Sequence, residues 1–288
     1  MLLWAVLVGL SFPAVELMSE LPPFSLTSLR FFIACSGLWW LARRSPHFRP
    51  PWRQLPLYAL MGLCLAGFFG AMFWAAHHAT AVSMSTLFVT VPLLAFLFGL
   101  GFGVERLAWR LPAILALGAV GALGLAFAES LSVGGRLRFG IGEAVFFLGC
   151  LSTAFYPVLS KWGLATGRLP ASAAVRTFWS LGVGAVLIGL VGVAVEPVAN
   201  LARMTGRDLL LLLFLGLLST ALTFWLLQRA TAVLTPGAVT AYSYLVPFVA
   251  MLLLFAREPE RIGWVWLPGS LLVLLAIALL LRRDTAAA

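Results

Sequence analysis

A series of apolar blocks, each about 20 residues long, constrains the fold of this chain more than any other feature of its sequence. A helix needs about 20 residues to cross a hydrocarbon core of about 30 Å. Within that core every backbone N–H and C=O group needs a partner inside the protein, and the blocks lack the polar and apolar alternation of a membrane β-barrel. The blocks therefore predict membrane-spanning helices.

The composition agrees with this prediction, because 62% of the 288 residues are apolar and 10% are charged, against about 25% charged in a soluble globular chain. The first block begins at Leu2 without a basic segment, and no A-x-A cleavage signal follows it. We therefore expect a retained first helix and not a removed signal peptide. Cys35, Cys64 and Cys150 each lie inside an apolar block without CxxC spacing, so the sequence predicts no disulfide, metal site or cofactor.

The blocks divide the chain into ten predicted spans, and we expect an all-α, polytopic membrane protein. The spans are 2–18, 28–42, 55–75, 80–99, 110–128, 140–160, 173–194, 208–228, 235–256 and 262–281. An even number of spans places both termini on the same side of the membrane.

The positive charges indicate which side that is. If the termini are cytoplasmic, 12 of the 19 Lys and Arg residues lie in internal loops, as the positive-inside rule requires. These residues are Arg43, Arg44, Arg49, Arg53, Arg106, Arg110, Lys161, Arg168, Arg176, Arg229, Arg282 and Arg283. The net charge of +9 is then explained by topology, and we expect no nucleic-acid partner. The sequence predicts a multi-pass protein of the bacterial inner membrane with both termini in the cytoplasm.

An ordered series of matches shows that the chain contains an internal repeat. At an offset of 151 residues, Phe73, Trp74 and Thr80 match Phe224, Trp225 and Thr231. At an offset of 155 residues, Val91, Pro92 and Glu105 match Val246, Pro247 and Glu260. Upstream, Leu29-Arg30 matches Val175-Arg176. The offset changes only at loops and helix ends.

The repeat predicts an N-terminal half at 1–130 and a C-terminal half at 139–288, each with five spans. An odd number of spans makes the second copy enter the membrane from the opposite side. Inverted repeats are typical of transporters, because exchanging the conformations of the two halves moves a cavity at their interface from one side of the membrane to the other.

The repeated motifs resemble the EamA family of the drug/metabolite transporter superfamily over nearly the whole chain. They comprise a Pro-Pro loop, an Arg opening the next helix and a Gly-Glu element after the fourth. Here these are Leu21-Pro22-Pro23, Arg30, Gly103-Val104-Glu105-Arg106-Leu107 and, in the second half, Arg257-Glu258-Pro259. Val104 separates Gly103 from Glu105, and the second acidic element aligns through either Glu258 or Glu260.

Within that family the chain looks most like the YddG-type exporters of aromatic amino acids. The resemblance implies a ten-helix carrier whose central cavity is formed by helices 1, 3, 4, 6, 8 and 9. We expect two partners, a small-molecule substrate and the lipid bilayer, and we expect the protein to act as a monomer.

Two adjacent histidines and an aromatic pair are the first candidate substrate ligands. His77 and His78 lie at the outer end of the third span, where imidazole can hydrogen-bond a substrate or attract its carboxylate. Trp162 and Tyr156 lie in the sixth span, where an aromatic wall would suit an apolar side chain. We expect His78 and Trp162 to contact the same solute. The alternatives are interfacial histidines with water as partner and a Trp that anchors its helix at the membrane surface.

Hydroxyl groups before two repeated prolines are the second set of candidates. Tyr242, Ser243 and Tyr244 precede Pro247, and Ser83 lies in the corresponding stretch before Pro92. Proline frees backbone carbonyls that can face a cavity, although small hydroxyls also join helices to one another.

Glu16 is the acid placed deepest in the first span, and an intramembrane acid is a candidate for proton coupling. Its position near Glu20 also fits the headgroup region. Because no second deep acid or buried Lys is evident, a facilitator driven by the substrate gradient fits at least as well.

The sequence thus predicts export of aromatic and other neutral amino acids and related small metabolites by alternating access. The alternative is a proton-coupled exporter of drugs or cationic compounds, which needs an acid facing the cavity. A carrier of sugar phosphates would need basic residues within the cavity, and Lys161, Arg229 and Arg30 lie at predicted helix ends. No nucleophile with a base and no acidic metal set is evident, so we expect no enzyme.

Overall fold

The structure is a computed structural model that describes residues 1–18, 21–45, 47–133, 140–261 and 263–287. Within these ranges the regular structure is helical and contains no strand. The first three spans are α1 (Leu2–Glu16), α2 (Pro23–Arg43) and α3 (Leu55–Ala75). The fourth consists of α4 (Ala81–Phe88) and α5 (Val91–Gly101), and the fifth is α6 (Arg110–Val133).

The sixth and seventh spans are α7 (Ile141–Ala165) and α8 (Ala173–Val195). The eighth consists of α9 (Gly206–Gly216), a π-helical segment (Leu217–Leu222) and α10 (Thr223–Val233). The ninth consists of α11 (Pro236–Ala241), a 3₁₀ turn (Tyr242–Tyr244) and α12 (Leu245–Arg257), and the tenth is α13 (Trp266–Ala287).

Nine spans among the described residues are long and apolar enough to cross a membrane, and α1 is a shorter apolar helix. The prediction of an all-α, polytopic membrane protein with about ten helices is therefore confirmed. The division into halves at 1–130 and 139–288 stays a prediction.

The second span begins at Pro23, five residues before the predicted start at 28. Proline is well suited to the first turn of a helix, because its φ is already helical and the N–H it lacks would have no intrahelical partner. The Pro-Pro pair therefore starts α2 and is not a loop. One consequence is that Arg30 lies inside α2 and not at its end.

Close packing of helix pairs builds the bundle: α2 packs against α8, α3 against α7 and α8, and α6 against α13. Glycine permits these approaches. A Cβ on Gly62 of α3 would lie 2.5 Å from the Val183 side chain, and one on Gly269 of α13 would lie 2.8 Å from the backbone nitrogen of Leu125 in α6. Small residues at helix contacts are the usual means of close packing in membranes.

One contact ties the two predicted halves together at the start of α2. The Glu196 carboxylate accepts hydrogen bonds from the Phe24 and Ser25 backbone N–H groups at 2.6 and 2.8 Å, and from the Ser25 hydroxyl at 2.7 Å. A carboxylate here satisfies N–H groups that lack an intrahelical partner and matches the positive end of the helix dipole.

Candidate functional site

Successive spans alternate in direction, so α1 begins and α13 ends at the same end of the bundle, which we call the terminal end. The opposite end, where α3 ends and α7 begins, is the distal end. The candidate site lies between these ends, where the fourth and ninth spans approach each other.

An aromatic layer from both predicted halves closes the terminal end. Phe102, which follows α5, lies edge-on to Phe155 and Trp162 of α7, with ring centroids 5.2 and 5.9 Å apart. Phe98 of α5 also packs against Phe155, at 5.4 Å. Beside this layer α5 packs directly against α11. The fourth and ninth spans are therefore in contact at this end.

A carboxylate, that of Glu105, also joins the fourth and ninth spans at the terminal end. Glu105 is buried, and its Oε2 accepts a hydrogen bond from the Gly237 backbone N–H at 3.1 Å, at the start of α11. The chain reaches this position through a turn at Gly103, whose φ of +68° favours glycine. Burial raises the pKa of the Glu105 carboxyl above its ordinary value. Opening the terminal end would have to break this contact.

At the distal end the two spans have different neighbours. Here α4 packs against α6 and α7, whereas α12 packs against α1, α6 and α13. Apart from α6, which contacts both, the spans that meet at the terminal end are thus held by different elements at the distal end. This arrangement fits a cleft that opens distally.

Both spans are interrupted near their middle, at corresponding positions of the repeat. The fourth is interrupted at Val89 and Thr90, just before Val91-Pro92, and the ninth forms its 3₁₀ turn just before Val246-Pro247. Proline removes a backbone donor in each case. Non-helical backbone at this depth is tolerated where it is enclosed by protein or lines a cavity, so these breaks are the natural places for the two spans to bend.

The predicted histidines lie at the distal end and are exposed. The Nδ1 atom of His77 lies 3.0 Å from the Phe73 carbonyl oxygen, and that of His78 lies 2.8 Å from the Trp74 carbonyl oxygen. The His78 ring also stacks on Trp74, with centroids 3.9 Å apart. Both histidines therefore bond to their own helix in this conformation.

The structure does not bring His78 and Trp162 together. A Cβ on Gly142, at the start of α7, would lie 2.6 Å from the His78 backbone. Trp162 follows 20 residues later in the same helix, which corresponds to about 30 Å. The expectation that one solute contacts both residues is therefore wrong, because His78 lies beside the start of α7 and Trp162 lies near its end. Trp162 instead lies between Phe102 and the Arg168 guanidinium, which is 4.5 Å from the indole centroid.

Tyr156 belongs to a buried hydrogen-bond network. Its hydroxyl lies 2.9 Å from the Ser180 hydroxyl and accepts a hydrogen bond from the Gln228 amide at 2.8 Å. The Ser160 hydroxyl donates to Gln228 Oε1 at 2.5 Å. Since Tyr156 is 1% exposed, a solute would need a conformational change to reach it.

Arg176 completes this network and is fully buried. Its Nε donates to Gln228 Oε1 at 2.9 Å and its Nη2 to the Gln228 carbonyl at 2.6 Å. Its Nη1 donates to the Pro170 and Ala171 carbonyls at 2.7 and 2.8 Å. Every partner belongs to the predicted C-terminal half, so Arg176 joins α8 to α10 and to the connection between α7 and α8.

The hydroxyl candidates also lie in enclosed positions. Tyr242, Ser243 and Tyr244 are buried, and the Tyr244 ring fills the space beside Gly118 of α6. Ser83 is 2% exposed and receives a hydrogen bond from the Thr80 hydroxyl at 2.9 Å. It also borders a largely apolar cavity of about 250 Å³ between the fourth and fifth spans. The roles of these residues in substrate binding stay predictions.

Glu16 is the last residue of α1, and its side chain lies outside the described part of the chain. Its predicted role in proton coupling therefore stays a prediction.

Sequence reasoning missed Arg30 as a site residue. Arg30 is buried between α3 and the π-helical segment of the eighth span, where it hydrogen-bonds Thr220 and lies 5.5 Å from the Phe69 ring centroid. The available signal was Pro22-Pro23, which starts α2 early enough to place Arg30 inside the membrane.

Comparisons with known proteins agree with this architecture. The profile of the EamA-like transporter family matches residues 1–127 and 140–282. A crystal structure superposes with a TM-score of 0.79 at 22% identity, covering 99% of this chain and 96% of the other. That likeness concerns the fold alone.

Two curated relatives are transporters by name. The chain is 27% identical over 269 residues to an uncharacterized inner membrane transporter, YedA, of Escherichia coli (strain K12), covering 91% of this chain and 83% of the relative. It is 29% identical over 240 residues to a protein of Streptantibioticus cattleyicolor named "Probable terminal-alkyne amino-acid exporter", covering 82% of this chain and 76% of the relative.

The fold and these relatives define a multi-pass transporter of the inner membrane. The chain belongs to the EamA-like transporter family, which confirms the resemblance inferred from its motifs. The closer likeness to exporters of aromatic amino acids stays a prediction.

Proposed function

We propose that the protein exports neutral amino acids, aromatic ones among them, and related small metabolites. It does so by alternating access, down the substrate gradient. Family membership supports transport, and the name of one relative supports amino acids as the substrate class. The observation that carries the mechanism is the pair of broken spans, which meet at the terminal end and at the distal end share α6 but otherwise have different neighbours.

Alternating access requires that each contact at the closed terminal end can break and form again. For the terminal end to open, α5 must separate from α11, the Glu105 to Gly237 hydrogen bond must break, and Phe102 must leave Trp162. The turns at 89–90 and 242–244 absorb the bending. Movements of this kind leave the paired scaffold helices, such as α6 and α13, in place.

With both termini in the cytoplasm, as the positive-inside rule favours, the distal end faces outward. The described conformation is then outward-open, and the protein acts as a monomer. Cysteine labelling in intact cells tests the orientation, since a cysteine at His47 should be protected and a cysteine at Glu129 should react. The reverse pattern would overturn this orientation.

Proteoliposome uptake tests the function. Purified protein is reconstituted into vesicles with an imposed proton gradient, and uptake of labelled phenylalanine and threonine is compared with protein-free vesicles. We expect saturable uptake that persists when a protonophore collapses the proton gradient, and Glu16→Gln should retain most of the flux. Vesicles that transport neither these nor other neutral amino acids would contradict the proposal. Loss of flux on adding the protonophore, with the substrate gradient unchanged, would refute facilitation and favour the proton-coupled alternative.

A further inference from the structure

Arg30 is an intramembrane cation that lacks a described counterion. It lies seven residues after the start of α2 at Pro23, about 10 Å along the helix. Among the described residues no carboxylate pairs with it, although its side chain is buried. An ionisable group at this depth costs several kcal/mol, and such groups generally pair with a carboxylate or serve function.

The bonds of Arg30 leave part of its guanidinium available. Its Nε donates to the Thr220 hydroxyl, and its Nη2 makes longer contacts of 3.3 Å with the Ser219 carbonyl and hydroxyl. Among the described residues no group accepts a hydrogen bond from Nη1. Arg30 also retains 8% exposure, whereas Arg176 has none.

The partners of Arg30 lie in an unusual stretch of backbone. Ser219 and Thr220 belong to the π-helical segment Leu217–Leu222 of the eighth span. Short π-helical insertions occur frequently at functional sites. Ser219 and Thr220 belong to the C-terminal half, so Arg30 reaches across the interface at which inverted-repeat carriers bind solute.

The Phe69 ring lies beside the guanidinium and belongs to a larger cluster of aromatic rings. Phe31 packs edge-on against Phe69 at 5.2 Å and against Phe224 at 6.5 Å. Phe73, which is partly exposed, continues this series at 6.3 Å from Phe69. A guanidinium fork beside aromatic walls matches a solute with a carboxylate and an apolar side chain.

We propose that Arg30 is the carboxylate subsite of the transporter and that its substrates are therefore solutes with a free carboxylate beside an apolar group. This inference rests on the proposed function and sharpens it. Arg30 donates from Nη1 and Nη2 to the two carboxylate oxygens. The substrate thereby supplies the missing negative charge, while the Phe69 and Phe224 rings border its side chain.

A matched pair of solutes tests the subsite in the wild-type protein. Phenylalanine and phenylalaninamide differ at the carboxyl group and share the same side chain and amine. Each is used to compete with labelled phenylalanine in proteoliposomes. We expect phenylalanine to compete about 10- to 100-fold better, the range that a hydrogen bond to a charged group provides. Equal competition would overturn the assignment.

Variants test whether Arg30 is the residue that distinguishes phenylalanine from phenylalaninamide. Arg30→Gln should bring the two competitors to within about threefold, and Arg30→Lys should give an intermediate ratio, because Lys keeps the charge but not the planar fork. Arg53→Gln, at an exposed arginine before α3, should keep the wild-type ratio. The same collapse of the ratio in this control would refute the subsite.

The experiments distinguish failure of the proposed function from failure of the subsite. Wild-type vesicles that move no amino acid refute the proposed function, and the subsite with it. Vesicles that move amino acids but accept the amide equally refute the subsite alone. If Arg30→Gln lowers the amount of folded protein by size-exclusion chromatography and the remaining protein keeps the wild-type ratio, Arg30 is structural and the subsite is wrong.

Discussion

Two buried arginines occupy matching positions of the sequence repeat, yet their surroundings differ. Arg176 directs all of its hydrogen bonds to groups of the C-terminal half and is completely enclosed. Arg30 reaches across the interface between the halves to Ser219 and Thr220 and keeps some exposure. A repeated residue can thus hold one half together in one copy and be available to a ligand in the other.

The partners of the two residues explain the difference. Gln228 offers Arg176 both its side chain and its carbonyl, and the helix start at 170–171 offers two more carbonyls. Among the described residues, the hydrogen-bond partners of Arg30 all belong to the π-helical segment of the eighth span. Contacts inside one half can persist through transport, whereas contacts across the interface must be able to change.

The largest expected effect is on stability, when Arg176 is replaced by Met. The Pro170 and Ala171 carbonyls would lose the donor that Arg176 supplies, and the two Gln228 oxygens would keep only the Ser160 and Thr231 hydroxyls among the described side-chain donors. A buried polar group left unsatisfied costs about 1–3 kcal/mol. We expect the free energy of unfolding of the detergent-solubilised protein to fall by roughly 3 kcal/mol or more. Arg30→Met, as the matched control, should cost clearly less. Equal losses of thermal stability in the two variants would show that Arg176 and Arg30 contribute equally to the stability of the fold.

A smaller effect is expected from the contact at the closed end. Glu105→Ala leaves the Gly237 N–H without its acceptor, at a cost of about 1–3 kcal/mol to the closed terminal end. Glu105→Gln retains an oxygen acceptor and should cost less. Labelling of a cysteine at Phe102 from the terminal side should increase in the Ala variant and change little in the Gln variant. Unchanged labelling in Glu105→Ala would show that this hydrogen bond does not hold the end closed.

The smallest expected effect is a change in pH dependence. Burial raises the pKa of Glu105, so the protonated carboxyl is favoured in the folded protein. Its stabilising contribution is present below the ordinary Glu pKa of about 4.3 and is lost as the pH rises through the raised value. We expect the thermal stability of the wild type to fall more than that of Glu105→Gln between about pH 4.5 and 7. Parallel curves for the two proteins would argue against this titration.

The sequence was sufficient for the architecture because block length, proline position and loop charge act locally. Those signals predicted ten spans and the family, and they marked the stretches before Pro92 and Pro247 as candidate parts of the site. They could not predict which side chains meet. His78 and Trp162 were grouped because they belong to opposite halves, but the direction of α7 separates them by its length.

Arg30 shows why the site was harder to predict than the fold. The start of α2 was misplaced by five residues, which moved Arg30 from the bilayer to a helix end. The π-helical segment that receives its side chain has no simple sequence signal, since Leu217–Leu222 contains ordinary helix residues. Gln228, which receives two of the hydrogen bonds of Arg176, likewise lies 52 positions away, beyond the reach of local patterns.

Ligand-induced thermal stabilisation tests most directly whether these two arginines have different roles. The unfolding temperature of purified wild type, Arg30→Gln and Arg176→Lys is measured with and without saturating phenylalanine. A ligand that binds only the folded state at 100 times its Kd stabilises that state by about 2.7 kcal/mol. We predict that Arg176→Lys unfolds at a lower temperature but keeps the wild-type rise, whereas Arg30→Gln unfolds near the wild-type temperature and loses the rise. A full rise in Arg30→Gln, or the same loss of rise in both variants, would contradict the account.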